Sequence, residues 1–368
     1  MENTIGRYCE LNGIEEVKEL EYGMDFRLQK YRREVFLRFY GFHLNNKAHA
    51  GAVYYMFPYL FDALVMTKEQ KYWFCYINGC CQNVITTYLI WRQIPDLKTI
   101  NMERFTEWYR ANYEKLGWDT DRRYIKNSFE KCILDYKNKI GFSTQEEFFA
   151  SYCDTPDPQL NFRQLWNYVM NNFNLFGRLS TFSYLEYLKI AGLNIDCDSM
   201  FLDDISGSKS HRNGLCKVLG RDDLDWNKND VKYSEETIEW LAREADMLIE
   251  EAKHRFNHPD INYFTLETTL CCYKSWFRPN RRYPNVYNDM FHDRIKYAEK
   301  QWGKKLDLFW EARSETLPIN LLLEHNPADG GVCKEKQNHF RNTGQVIMMD
   351  LDYDCFKNDY NEKVNLFN

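Results

Sequence analysis

The spacing of apolar residues constrains this chain more than any other feature. They recur every three or four positions over long stretches and show no sustained alternation. Residues 234–256 are the clearest case. Ser234 can cap a helix, Glu235 and Glu236 suit its positive end, and Ile238, Leu241, Ala242, Ala245, Leu248, Ile249 and Ala252 form one apolar face. Residues 122–140 repeat the pattern with Ile125, Phe129, Cys132, Ile133, Tyr136 and Ile140, then stop at Gly141. Ser143-Thr144-Gln145-Glu146 predicts a capping box opening another helix. Residues 160–176, 181–191, 262–277 and 286–302 also read as helices. There is no βαβ spacing, so the predicted fold class is mainly α.

A chain of 368 residues has ample room for a core. Residues 1–326 are expected to form one helical domain, with Asp154-Thr-Pro-Asp-Pro158 as a candidate boundary between two lobes. Residues 327–368 read as a loop-like tail, acidic from 350 to 362. The net charge of -6 excludes a uniformly basic coat for nucleic acid but not a local basic patch. The start of the chain is polar and then acidic at Glu10, Glu15 and Glu16, unlike a secretory signal. The longest apolar run, 53–66, carries Pro58 and Asp62 and is too short to span a bilayer. A cytoplasmic protein without a membrane partner is therefore expected. The 12 cysteines contain no C-x-x-C, which predicts buried free thiols rather than a metal site.

Three segments carry residues suited to chemistry. In 72–99 the amides Asn78, Gln82 and Asn83 interrupt an apolar helix and need partners, either within the core or on a bound base. The stretch from Ile205 to Arg221 has no acid and four bases, Lys209, Arg212, Lys217 and Arg221, with Ser208, Ser210, His211 and Asn213 as further polar groups. Gly207 and Gly214 are expected to let backbone N–H groups approach an anion, and Gly214-Leu215 to open a short helix whose N-terminus favours phosphate. Just ahead of it, Asp203 and Asp204 are candidate caps or general bases. In the third segment, 264–302, Glu267, Lys274 and Arg278 fall at helical spacings, followed by Arg281, Arg282 and Tyr283 in a Pro-bounded turn. Between Cys271 and Lys305 nine Lys/Arg face three Asp/Glu. Arginine forks suit phosphate oxygens, and aromatic rings can stack a base.

These motifs carry a resemblance. Gln82 followed by Ile94-Pro95 is similar to the pattern of helix-hairpin-helix DNA glycosylases. That helix, with Ser208-Lys-Ser-His-Arg-Asn-Gly-Leu215, Thr265-Leu-Glu-Thr-Thr-Leu-Cys271, Tyr273-Lys274 and Arg281-Arg-Tyr283, resembles the α-glutamyl/putrescinyl thymine pyrophosphorylases. These are phage amino acid:DNA transferases regarded as relatives of those glycosylases. The similarity spans about residues 33 to 303.

The resemblance implies a glycosylase-like helical catalytic domain. It implies a reaction on DNA carrying 5-(pyrophosphoryloxymethyl)uracil, in which an amine, such as glycine, another amino acid or a polyamine, displaces pyrophosphate from the 5-methylene carbon. It assigns Asp204, His211, Glu267 and Lys274 to catalysis. Ser208, Lys209, Ser210, Arg212, Asn213, Arg278, Arg281 and Arg282 would take the pyrophosphate. Asn78, Gln82, Asn83 and Tyr283 would hold a flipped base, helped by aromatics in 72–91 and 273–287. No cofactor is implied; magnesium on the pyrophosphate fits the scheme, but no carboxylate cluster demands it. One departure stands out: the Gly-x-Gly clamp of a DNA-binding hairpin is missing, with Ala191-Gly192-Leu193 the nearest approach. A base-excising glycosylase and a non-catalytic nucleic-acid-binding protein are the rival readings.

Overall fold

The computed structural model describes residues 29–46, 52–203, 209–224, 233–277 and 286–316. Among them there are helices and turns and no strand. The chain divides into two units: residues 1–52, 199–292 and 314–368 form the first, and 53–198 with 293–313 the second. The Asp154–Pro158 segment falls inside the second unit, where Asp157 caps a helix by accepting from the N–H groups of Gln159 and Leu160.

In the order of the chain the helices are α1 (Gln29–Asn46), α2 (Val53–Ala63), α3 (Lys68–Cys81), α4 (Val84–Trp91), α5 (Met102–Asn112), α6 (Arg123–Lys126), α7 (Phe129–Ile140), α8 (Gln145–Ala150), α9 (Pro158–Asn172), α10 (Arg178–Ile190), α11 (Lys209–Val218), α12 (Glu235–Phe256), α13 (Tyr263–Ser275), α14 (Val286–Trp302) and α15 (Asp307–Thr316).

The first unit is organised around α1, α11, α12 and α13. Helix α12 begins where its periodicity predicts: Ser234 accepts from the Thr237 N–H, and Leu241, Ala245, Leu248, Ile249 and Ala252 are buried. It ends at Asn257, which takes the left-handed conformation at φ 45°. Asn262 and Thr265 form a reciprocal cap on α13. Tyr40 of α1 reaches the Thr265 hydroxyl at 2.6 Å, tying α1 to that cap. Helices α11 and α13 cross at Gly214, where a Cβ would lie only 2.3 Å from the Leu270 carbonyl oxygen. Gly214 is thus mid-helix, and its bare Cα serves backbone-to-backbone packing. The expectation that it opens a helix and admits an anion is corrected: α11 already starts at Lys209.

The second unit is built on α3, buried without interruption from Tyr72 to Cys81. Its rings pack with those of neighbouring helices, Tyr76 on Tyr136 with centroids 3.8 Å apart and on Phe176 at 5.6 Å. Trp73 donates its indole N–H to the Ile94 carbonyl at 2.7 Å. These rings form the core, so Tyr72–Tyr76 are not available to hold a base. Arg122 is fully buried; its guanidinium donates to the carbonyls of Gly79 and Leu179 at 3.2 and 3.0 Å, joining α3 to α10. The predicted helix over 122–140 breaks between α6 and α7 at Asn127-Ser128. The predicted capping box moves by one residue: Thr144 caps, and Glu147 reaches back to its N–H. Ala191-Gly192-Leu193 is the turn that closes α10, with Gly192 at φ 93° and Leu193 N–H on the Leu188 carbonyl.

Nine cysteines in the described residues are free thiols, most of them buried. Burial pushes the Cys81 thiol up to about 11, out of the reactive range. No helix among the described residues is long and apolar enough to cross a membrane.

The α11–α13 crossing makes a direct prediction. Gly214→Ala forces a methyl into the Leu270 carbonyl, and overpacking of this kind costs about 3 kcal/mol. Urea unfolding should show a midpoint well below that of the wild type, whereas an unchanged midpoint would mean that the two backbones do not meet.

Candidate active site on helices α11 and α13

The crossing places four polar side chains of the first unit in two facing pairs. His211 Nδ1 lies 2.9 Å from Glu267 Oε1, with both side chains buried. The other ring nitrogen, Nε2, lies 2.8 Å from the Met200 carbonyl. A carbonyl can only accept, so Nε2 carries a proton. The remaining proton is then shared between Nδ1 and the carboxylate, as imidazolium with carboxylate or as imidazole with carboxylic acid. With both ring nitrogens engaged, His211 is fixed against Glu267.

The second pair is Lys274 with Ser210. The ammonium donates to the Ser210 Oγ at 2.7 Å. Its exposure is only 9%. That leaves the hydroxyl proton of Ser210 to be donated elsewhere. Glu267 and Lys274 are seven residues apart, two helical turns, so both lie on the face that α11 crosses. The first turn of α11 carries no acid, and its exposed Lys209 begins the helix. Buried charge is costly unless it is paired or used, which makes this cluster a site candidate on physical grounds.

The remaining predicted residues are placed differently. Arg212 is fully buried, donates to the Leu202 carbonyl at 2.7 Å and lies over the Tyr233 ring at 4.7 Å. In this position it supports the chain leading into α11. Asn213 is also buried. Asp204, Ser208, Arg278, Arg281, Arg282 and Tyr283 lie outside the described residues.

Asn78, Gln82 and Asn83 belong to the second unit. Asn78 accepts from the Thr87 hydroxyl at 2.9 Å. Asn83 caps α4 by accepting from the Thr86 N–H at 3.1 Å. Gln82 ends α3 in the left-handed region, at φ 48°. Its Oε1 is buried without a donor among the described residues. Two of the three amides therefore hold the α3–α4 turn, and Gln82 alone keeps acceptor capacity. The carbonyls of Met200 and Leu202 were missed by sequence reasoning, because a backbone acceptor leaves no trace in residue type.

The crossing of α11 and α13 thus holds a carboxylate–imidazole pair and a lysine–serine pair in a helical protein. Comparison with known proteins adds the family. The chain belongs to the amino acid:DNA transferase family, whose profile matches residues 55–282. It is 32% identical over 294 residues to a serinyltransferase of Salmonella phage ViI, covering 75% of this chain and 71% of that protein. No solved structure matches significantly. The protein is accordingly an enzyme that transfers an amino acid to DNA.

The His211–Glu267 contact is testable alone. A double-mutant cycle with His211→Ala and Glu267→Ala should give a coupling of about 2 kcal/mol in urea unfolding, as expected for a buried pair in one network. Additive effects would show that the two groups do not interact.

Proposed function

We propose that this chain completes a base hypermodification, using DNA that carries 5-(pyrophosphoryloxymethyl)uracil. The nucleophile of an amino acid, its amine or for serine its hydroxyl, attacks the 5-methylene carbon. The carbon–oxygen bond to pyrophosphate breaks, pyrophosphate leaves with the bonding electrons, and the nucleophile's proton passes to a base. Glu267 suits that base in its carboxylate form, held in place by His211 at 2.9 Å. Lys274 and Ser210 suit the leaving group, since an ammonium and a hydroxyl offer donors to developing phosphate charge. Lys209, Asn213, Arg278, Arg281 and Arg282 are close in sequence to this pair and are proposed to extend the anion site. Asp204 is an alternative base.

The observation that carries this reading is the meeting of Glu267–His211 and Lys274–Ser210 within the family-matched region. The target base is proposed to leave the duplex before reaction. The phage relative is named for serine, which favours an amino acid over a polyamine as co-substrate here.

The test is incubation of the protein with DNA containing 5-(pyrophosphoryloxymethyl)uracil and a mixture of amino acids and polyamines, followed by mass spectrometry of the nucleosides. An amino-acid adduct with release of pyrophosphate is expected. Lys274→Met should lower its rate about 100-fold, the usual cost of removing one preorganised donor to developing charge. Abasic sites would replace the transferase by a glycosylase, and full activity in Lys274→Met would remove that residue from the site.

A further inference from the structure

A second binding feature lies wholly in the second unit, among residues 88–108 and 302–304. Two adjacent cavities, of about 200 and 390 Å³, share Arg92, Gln93 and Trp108 in their walls and together are treated as one groove. The larger falls in the range of roughly 300–1,000 Å³ typical of small-ligand pockets.

Its lining combines two kinds of side chain. Trp108 and Trp302 stack with centroids 6.1 Å apart and planes at 24°, and both remain partly exposed. Around them stand Arg92, Arg104 and Lys304, all exposed. None of these three cations has an acidic partner among the described residues, in a protein whose net charge is -6. The acid in the lining, Asp96, is engaged by the backbone N–H of Lys98 at 2.8 Å. The N-terminus of α5 also opens on the groove through Asn101 and Arg104, adding the positive end of an 11-residue helix. Arg92 lies over the Tyr88 ring at 6.0 Å and Lys304 over the Trp302 ring at 5.8 Å, so the groove combines cations and partly exposed aromatic rings. The same arrangement is what a polyanion with stackable rings requires.

We propose that this groove binds a single strand of DNA outside the reacting nucleotide, with phosphates on Arg92, Arg104 and Lys304 and a base on the Trp108–Trp302 platform. The inference rests on DNA being the substrate, which follows from family membership, and not on the pyrophosphate chemistry. It supplies a grip on DNA in a chain whose sequence lacks the Gly-x-Gly clamp.

The experiment is fluorescence anisotropy of a labelled oligothymidylate with the full chain across a salt series. Each phosphate contact on a single strand contributes about 0.7 to the slope of log affinity against log salt. Arg92→Ala combined with Arg104→Ala should therefore weaken binding at low salt by about tenfold or more and reduce the slope by about 1.4. Trp108→Ala should weaken binding about tenfold with the slope unchanged, the signature of a lost stacking partner. Melting temperatures of the variants confirm that they fold. Unchanged affinity and slope in all variants would overturn the proposal. So would a raised KM for the amino acid with DNA affinity intact, which would make the groove the co-substrate's site. An oligothymidylate carries no pyrophosphate, so the readout stands whether or not the proposed transfer occurs.

Discussion

The contact on which the first unit depends is the approach of two helix backbones at Gly214 and Leu270. With a Cβ at Gly214 only 2.3 Å from a carbonyl oxygen, no other residue fits without displacing a helix. That proximity sets both side-chain meetings. His211 is three residues before Gly214 and Glu267 three before Leu270, so the two arrive on the same side of the crossing. Lys274 is long enough to return across it to Ser210. The site is thus a consequence of packing, and the absence of one methyl group is its main structural requirement.

Burying an acid, an imidazole and an ammonium within one helix crossing opposes folding unless each finds its partner. The carbonyls of Met200 and Leu202 contribute here, since they fix His211 and Arg212 by hydrogen bonds that need no further charge. The second unit shows the opposite economy. Its core is aromatic, and the deeply buried Arg122 donates to the backbone carbonyls of Gly79 in α3 and Leu179 in α10. Three of its exposed cations, Arg92, Arg104 and Lys304, stand instead in the cavity walls with Trp108 and Trp302.

Much of the helical content was legible because its signals are local. Ser234, the periodic face of α12 and the acids of its first turn mark that helix without reference to anything distant. The breaks were harder. Gln82 takes a left-handed conformation that glutamine rarely adopts, and only the cap from Asn83 to Thr86 explains why the chain turns there. Ser143 and Thr144 are both plausible caps, and the choice of Thr144 depends on Glu147 reaching its N–H. In the site, Glu267 and Lys274 were legible as one face of one helix. Their partners were not, because pairing 56 or 64 residues away depends on the Gly214 crossing. Gly214 itself was misread, since a glycine for anion approach and a glycine for helix packing look alike in sequence. The Trp108–Trp302 platform joins residues too far apart for any periodicity to connect.

The leaving group is proposed to sit at the α11–α13 crossing. Calorimetric titration of the full chain with inorganic pyrophosphate tests it most directly. Lys274→Met is expected to weaken binding by about tenfold, the loss of one charge-assisted hydrogen bond of about 1.4 kcal/mol, while Arg104→Ala in the other unit leaves it unchanged. Equal affinity in wild type and Lys274→Met would contradict it.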